Sequence, residues 1–228
     1  MADALGLSAS NLALKAPDGR VILSHASLEA APGARIWIEG AGGSGKRALM
    51  KVVAGLLKPD AGEVSLGGIR LWPGEGAASL GRRLRAGFLF AEGGLLSNQS
   101  LRENLALPLR FNGTKRAALE EAVEAVMDRL GLASMADLRP HALGARARRL
   151  AQIARIELIG PEVVFLCEPF EHLEDHDLDA AASLIREWAG MPSRLLIGAS
   201  EWAPEALWPG TMRLRLEAGR LHEAGEAP

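Results

Sequence analysis

The segment from Gly40 to Arg47 constrains this chain most, because it has the composition of a phosphate-binding loop. An apolar run, Arg35-Ile-Trp-Ile-Glu39, precedes the segment, and a helix-like run that begins at Ala48 follows it. The order strand, glycine loop, helix is the context that such a loop requires. Glycines let backbone N–H groups turn toward an anion, and the following helix adds the positive end of its dipole. The segment therefore predicts a site for the phosphates of a nucleotide.

Lys46 would supply a mobile positive charge to the outer phosphates of that nucleotide. The usual loop pattern then places a Ser or Thr hydroxyl that holds Mg²⁺, but Arg47 stands at this position. The alternative is a glycine-rich turn that binds no ligand. The residues predicted to bind nucleotide are Gly40, Gly43, Ser44, Gly45, Lys46, Arg47 and Ala48.

Size and composition indicate an ordinary soluble globular protein of 228 residues, with room for a sizeable apolar core. The formal charge of −2 gives no electrostatic reason to expect nucleic acid as a partner. The single cysteine fits a reducing compartment. We find neither a run long enough to span a bilayer nor an export signal, so we expect a cytosolic protein without direct membrane insertion.

Alternating strand-like and helix-like segments predict an α/β fold with a mostly parallel sheet. Short strands at Leu12–Leu14 and Val21–Leu23 predict an added antiparallel layer near the N-terminus. Residues 92–150 read as helical, with a capping box at Ser100 and a helix that Pro108 ends. We therefore predict a core formed by 1–91 and 151–228, interrupted by a helical subdomain at 92–150.

Several segments, in this order, resemble the motifs of ABC transporter ATPase subunits. The resemblance implies a P-loop ABC ATPase-like core, a helical subdomain that carries the signature, and docking to a membrane permease. The run from Glu103 to Arg110 is most similar to ATPases of bacterial lipid-transport systems. The matching segments are Gly40–Arg47 (Walker A), Phe90–Glu92 (Q-loop), Ala142–Arg149 (signature), Val163–Phe170 (Walker B), Leu173–Glu174 (D-loop) and Ala199–Glu201 (switch-histidine loop).

The positions that hold magnesium in that family have the wrong chemistry here. The Walker A hydroxyl, the Q-loop glutamine and the Walker B aspartate correspond to Arg47, Ala91 and Cys167. Mg²⁺ prefers six oxygen ligands in octahedral geometry, which these side chains cannot provide. We therefore expect no Mg²⁺ at this site and weak binding of ATP. Arg47 could neutralise phosphate charge, pair with Glu168, or extend into solvent.

The remaining catalytic positions are also altered. Glu168 occupies the position of the residue that polarises the attacking water, whereas Ser200 takes the place of the switch histidine. The signature motif of the family is L-S-G-G-Q. In this motif we place Leu143 at the serine and Ala145 at the second glycine, with Gly144 between them. Leu143 is expected to add bulk where a partner subunit's nucleotide would be closed. These changes predict weak or undetectable ATP turnover.

The resulting hypothesis is a degenerate nucleotide-binding subunit, or pseudo-ATPase. It would dock a permease, pair with a second ATPase subunit or with itself, and lie on the cytoplasmic face of the inner membrane. One alternative is an active ABC ATPase that uses Lys46, Arg47 and Glu168 in a divergent site. Another is a different P-loop protein, which would leave the helical insertion unexplained.

Two other features have simpler explanations. His172 and His176 stand four residues apart among carboxylates, a spacing compatible with zinc, but acidic residues are also expected at a helix start. We favour the helix start. Cys167 follows an apolar run without an evident partner base, which favours a core residue over a nucleophile.

Overall fold

The computed structural model describes residues 5–80, 84–89, 94–203 and 210–224. Strands and helices alternate through most of these residues. The strands are β1 (Leu7–Lys15), β2 (Val21–Ala30), β3 (Arg35–Glu39), β4 (Ala61–Leu66), β5 (Ile69–Trp72), β6 (Ala86–Leu89), β7 (Val163–Cys167), β8 (Leu195–Ser200), β9 (Met212–Glu217) and β10 (Arg220–Glu223). The α-helices are α1 (Lys46–Val53), α2 (Ala77–Leu80), α3 (Leu101–Phe111), α4 (Arg116–Arg129), α5 (Ala145–Ile159) and α6 (Asp175–Gly190).

The strands form two sheets. The larger has the order β10-β9-β3-β8-β7-β6, and all its pairs are parallel except β9 with β10. The smaller is antiparallel, with the order β2-β1-β4-β5. The predicted α/β fold, with a mostly parallel sheet and an antiparallel N-terminal layer, is confirmed.

Apolar side chains alternate across the parallel sheet and build a core on each face. In β7, Val163 and Phe165 join the core shared with α1 and the antiparallel sheet. Val164 and Leu166 join the core shared with α5 and α6. Both faces are covered, which explains why β7 is apolar at every position. The carboxyl ends of β3, β7 and β8 consequently meet at one edge, where ligands bind in folds of this kind.

The helical stretch differs from its prediction in one detail. The Ser100 capping box is present, with Ser100 N–H donating to the Glu103 carboxylate and Glu103 N–H donating to Ser100 Oγ. However, α3 continues past Pro108 to Phe111, so the predicted end at Pro108 is wrong. Proline lacks only the N–H that would donate to the carbonyl oxygen of residue 104. The helical hydrogen bonds resume after it, where the Asn112 N–H donates to the Pro108 carbonyl oxygen.

The predicted helical subdomain contains α3, α4 and the start of α5. Its predicted end at residue 150 falls inside α5, and residue 91 lies outside the described residues. Before β6, residues Ala77–Leu80 form the single-turn helix α2. Among the described helices, none combines the length and the apolar character needed to span a bilayer.

Candidate nucleotide site

The glycine loop (residues 40–45) connects β3 to α1, as the sequence predicts. Gly43 and Gly45 have φ angles of 81° and 98°, which glycine adopts without strain. A Cβ atom on Gly45 would lie 2.9 Å from the Ile22 carbonyl oxygen. No side chain caps α1, so its first N–H groups remain available to an anion. The backbone therefore retains the shape of a phosphate cradle.

A cavity of about 670 Å³ opens at this edge of the parallel sheet. We call it the nucleotide cavity. Ala48 also lines it, from the first turn of α1. The lining groups that matter most for chemistry are Gly43, Gly45, Lys46, Arg47, Glu168 and Glu201. The predicted Walker A and Walker B segments thus meet at one cavity, whereas Ala91 lies outside the described residues.

The Lys46 ammonium group is already bound by the protein. It donates hydrogen bonds to the carbonyl oxygens of Gly40 (2.9 Å) and Ala41 (3.3 Å), and lies 3.1 Å from Glu168 Oε1. The side chain is only 6% exposed. An incoming phosphate must therefore compete with Glu168 for this charge.

Arg47 lies on the open side of the cavity, with 54% of its side chain exposed. Its Nη2 atom lies 3.8 Å from Glu171 Oε1. The pairing with Glu168 that the sequence suggested is wrong, because Lys46 takes that carboxylate. At this distance and exposure the ion pair is weak, so the guanidinium can turn toward a phosphate.

Cys167 is completely buried at the end of β7, which confirms its prediction as a core residue. Burial, together with the neighbouring Glu168 carboxylate, raises the pKa of its thiol to about 11. The group is therefore a neutral thiol at physiological pH. It supplies neither the negative charge nor the oxygen atom of an aspartate at this position.

Glu168 follows Cys167 at a tight turn, with a φ angle of 50°. Its N–H donates to the Ala199 carbonyl oxygen of β8 at 2.8 Å, which fixes the backbone at the sheet edge. The carboxylate lines the nucleotide cavity but is paired with Lys46. A general base needs a free carboxylate near the attacking water, so this ion pair opposes that role.

Ser200, which the sequence places at the position of the switch histidine, does not line the nucleotide cavity. Its hydroxyl accepts a hydrogen bond from Trp37 Nε1 at 2.8 Å and donates one to the Trp202 carbonyl oxygen. Glu201, one residue later, lines the cavity instead. Ser200 is the last residue of β8, and its side chain points inward. Successive side chains along a strand point to opposite faces of the sheet. Following this alternation to the end of β8 could have identified Glu201 as the side chain that faces the cavity.

The start of α5 also corrects the signature assignment. Leu143 is only 3% exposed and packs in the core beside α5, so it adds no bulk at a partner surface. This burial matches the leucine of L-S-G-G-Q rather than its serine. Gly144 is the N-cap of α5, and Ala145 and Arg146 follow at the two glycines. The bulky change is therefore Arg146.

Arg146 does not extend freely toward a partner. Its guanidinium binds the Asp177 carboxylate of α6 through two hydrogen bonds, Nη2 to Oδ1 and Nε to Oδ2. His176 Nε2 lies 3.1 Å from the same carboxylate. The signature end of α5 is thus tied to the start of α6, a contact that sequence reasoning missed.

The residues at the metal positions do not fit magnesium. Arg47 repels a cation, Cys167 is a buried neutral thiol, and Glu168 and Glu171 are both paired with cations. Zinc is not favoured either, since His172 lies before α6 and His176 within it. Throughout the described ranges, no three His, Cys, Asp or Glu side chains cluster as metal ligands do.

Sequence reasoning also missed Glu171 and Arg149. Glu171 accepts a hydrogen bond from Arg149 Nη2 at 3.0 Å and lies beside Arg47. Glu171 comes three residues after Glu168 in the turn after β7, and Arg149 lies one helical turn into α5. Their pairing is a contact between distant parts of the chain, which local patterns do not reveal.

Comparison with known proteins agrees with this geometry. The sequence profile of the ABC transporter family matches residues 23–171. The chain is 32% identical over 228 residues to the lipoprotein-releasing system ATP-binding protein LolD of Pseudomonas syringae pv. tomato, covering 98% of this chain and 100% of that protein. It is also 32% identical to LolD of Saccharophagus degradans, covering 90% of each protein.

A third relative is the methionine import ATP-binding protein MetN 2 of Paraburkholderia xenovorans, which is 32% identical over 165 residues. The match spans 72% of this chain but 43% of MetN 2. Among solved structures, the dimeric ATP-binding cassette MJ0796 with ADP and Pi superposes with a TM-score of 0.82. It covers 97% of this chain and 100% of the cassette at 19% identity, which establishes the fold. The chain belongs to the ATP-binding subunits of the ABC transporter family.

Proposed function

We propose that this subunit is a pseudo-ATPase, which binds nucleotide weakly without magnesium and hydrolyses little or none of it. One observation carries the proposal. Arg47 and the buried thiol of Cys167 occupy the metal positions, while Lys46 is paired with Glu168. A hydrolytic site of this family needs a divalent cation and a free carboxylate at these points.

Weak binding follows from the charges that surround the nucleotide cavity. The glycine loop and the uncapped start of α1 still favour a phosphate. Lys46 can reach that phosphate only by giving up contact with Glu168, and Glu201 adds a negative charge to the cavity wall. Arg47 offsets part of this repulsion. The net interaction is attractive but weak, and magnesium does not improve it.

Hydrolysis lacks the groups that stabilise charge in the transition state. Removing one such group typically slows an enzyme by a factor of about 10² to 10³. Here the metal ligands, including the hydroxyl of Walker A, and the switch histidine are replaced together, and Glu201 adds a carboxylate to the cavity wall. The losses are not additive, but each of them lowers the rate.

The transport role is proposed from the LolD relatives, whose name describes a lipoprotein-releasing system. We propose that the subunit docks permease subunits, pairs with another ATPase subunit or a second copy, and lies on the cytoplasmic face of the inner membrane. Leu96 and Phe111 support docking through the helical part, since their apolar side chains are 48% and 88% exposed. Burying these side chains against a partner would remove apolar surface from water, which favours association.

The active alternative, hydrolysis through a divergent site, has one observation in its favour. Glu168 lines the same cavity as Lys46 and Arg47, so a phosphate that displaced it would leave its carboxylate nearby. The two functions differ in their dependence on magnesium, which can be measured.

The test is titration of the full chain with a fluorescent, non-hydrolysable ATP analogue, in excess magnesium and in excess EDTA. We expect weak binding and superimposable isotherms. Arg47→Ala should weaken both isotherms, whereas Lys58→Ala, an exposed change outside the nucleotide cavity, should not. Magnesium that tightens wild-type binding by tenfold or more would contradict the proposal.

A further inference from the structure

The nucleotide cavity has a second end, which Arg20 and Ile22 line. A Cβ atom on Gly45 would lie 2.9 Å from the Ile22 carbonyl oxygen, so the start of β2 borders the glycine loop directly. The N–H of Ser24 donates to the carbonyl oxygen of Gly219, in the turn between β9 and β10, at 2.8 Å. The cavity therefore extends from the glycine loop toward Arg20.

The two sides of the glycine loop differ in charge. Glu168 and Glu171 follow β7, and Glu201 follows β8, so the carboxylates that line the cavity lie on the side of β7 and β8. In the sheet order, β3 separates these strands from β9 and β10, against which β2 lies. Arg20 therefore stands at the end away from the carboxylates. An anion that extends from the glycine loop is repelled by the first side and attracted by the second.

Arg20 is available to such an anion. Its side chain is 65% exposed, and its Nε atom lies 4.0 Å from Oδ2 of Asp18, which is 68% exposed. At this distance and exposure the ion pair is weak. A guanidinium donates two parallel hydrogen bonds to a phosphate group, so Arg20 gains by exchanging Asp18 for a phosphate.

The cavity offers little that distinguishes one base from another. Proteins recognise a base by stacking it on an aromatic ring or by hydrogen bonds to its edge. Among the described residues that line the cavity, none is aromatic and none carries a side-chain amide or hydroxyl group. The aliphatic side chain of Ile22 can contact any base. The charged groups of the ligand therefore dominate its binding.

We propose that the nucleotide cavity selects the polyphosphate chain of its ligand and not the base, and that Arg20 binds this chain beyond the glycine loop. Inorganic tripolyphosphate is the simplest such ligand. One end of it lies on the glycine loop. The other end carries charge where a nucleotide has a neutral sugar, and it reaches the Arg20 guanidinium. The inference rests on the proposed function, because it concerns binding without magnesium in the same cavity.

The test compares ATP, GTP and tripolyphosphate as ligands of the full chain, in excess EDTA and at constant ionic strength. A ligand that binds the folded state raises the thermal unfolding midpoint with its concentration, which gives its affinity. We expect ATP and GTP to bind within about threefold of each other, and tripolyphosphate at least as tightly as either. ATP that binds tenfold or more tightly than GTP or tripolyphosphate would overturn the inference.

Arg20→Ala tests the role of the second end. Arg20 is exposed, so this variant should fold. We expect it to weaken tripolyphosphate binding by about threefold or more, and ATP binding by less than that. Arg70→Ala removes the same charge from an exposed position of β5 outside the nucleotide cavity, and should leave both affinities unchanged. Wild-type affinity for tripolyphosphate in Arg20→Ala would overturn the role given to Arg20.

Failure of this inference is distinguishable from failure of the proposed function. Magnesium that tightens binding of the ATP analogue contradicts the pseudo-ATPase function, whatever the preference for a base. Selectivity for ATP in EDTA, with isotherms that magnesium leaves unchanged, overturns base-independent binding alone. No response to any of the three ligands overturns both.

Discussion

Arg47 and Cys167 stand at two of the family's magnesium positions and lie on different elements. Arg47 is the second residue of α1, and Cys167 is the last residue of β7. The first places a mobile positive charge where the family has a hydroxyl. The second replaces a carboxylate with a thiol whose pKa is raised to about 11 by burial. Both changes disfavour a divalent cation, so reversing only one should have little effect.

Restoring both groups should restore magnesium dependence. We expect Arg47→Ser with Cys167→Asp to bind the ATP analogue tenfold or more tightly with magnesium than with EDTA. Lys46 and Arg149 lie close enough to stabilise the new carboxylate. The matched control, Arg47→Ser with Cys167→Asn, has the same shape without the charge and should remain insensitive. A control that responds equally to magnesium would contradict this account.

Individual residues were predictable where local pattern decides their surroundings. The glycine loop and the buried Cys167 followed from the apolar run and the glycines themselves. Leu143 was misplaced by one residue and Glu201 was overlooked beside Ser200, because motif spacing alone does not show which side chain points inward. The Ser200 hydroxyl is fixed by Trp37 of another strand, and Leu143 by the core beside α5. These are tertiary contacts, which no short window contains.

At the scale of elements, the main feature is the connection between α5 and its neighbours. Arg146 at the start of α5 binds Asp177 at the start of α6. Arg149 binds Glu171 in the turn after β7. Two ion pairs therefore connect the helix that carries the signature segment to the core. In each pair one side chain is buried, Asp177 in the first and Arg149 in the second.

The Asp177 ion pair should make stability depend on acidity. The hydrogen bonds from Arg146 lower the pKa of Asp177 below its usual value of 3.8. A lowered pKa contributes stability above that value, which is lost as the pH falls through the folded-state pKa. We expect Asp177→Asn to cost about 2 kcal/mol of unfolding free energy at neutral pH, and progressively less below about pH 4. The measurement is denaturant unfolding of both proteins across this range.

The matched control for this prediction is Asp179→Asn, which lies on the same helix and is exposed. It should unfold like wild type at neutral pH. A penalty for Asp177→Asn that is the same at neutral and acid pH would contradict the role given to the ion pair.

Elements with strong local signals were predicted with small errors at their ends. The capping box at Ser100 marked the start of α3. The predicted end of this helix at Pro108 was wrong, because α3 continues for three further residues to Phe111. β1 begins at Leu7 and β2 ends at Ala30, so both strands extend well past the short apolar runs that predicted them. Irregular pairing of β1 breaks the simple alternation of its side chains, which hid its length from sequence reasoning.

At the scale of the whole molecule, the parallel sheet gathers the ends of three strands that are far apart in sequence. The fold class and the antiparallel layer were predictable from the order of the segments. The strand order was not, because β3 lies between β8 and β9 through contacts over more than 150 residues. The same long-range pairing sets Glu201, rather than Ser200, beside the glycine loop.

The molecule therefore retains the two sheets, the helical insertion and the phosphate cradle of an ABC ATPase. The changes that bear on magnesium and on the signature include side chains at the sheet edge and at the start of α5. A chain with this distribution of changes can still present family-like surfaces to a permease or a second subunit. Its own nucleotide cavity is the part that we expect to have lost catalytic chemistry.

The most direct measurement of that expectation is steady-state phosphate release from magnesium–ATP by the purified full chain. Glu168→Gln, purified in the same way, is the matched control, because it removes the carboxylate at the position of the residue that polarises the attacking water in this family. We predict that both proteins release phosphate at the rate of the protein-free solution. Magnesium-dependent turnover by the wild type that Glu168→Gln abolishes would contradict the account.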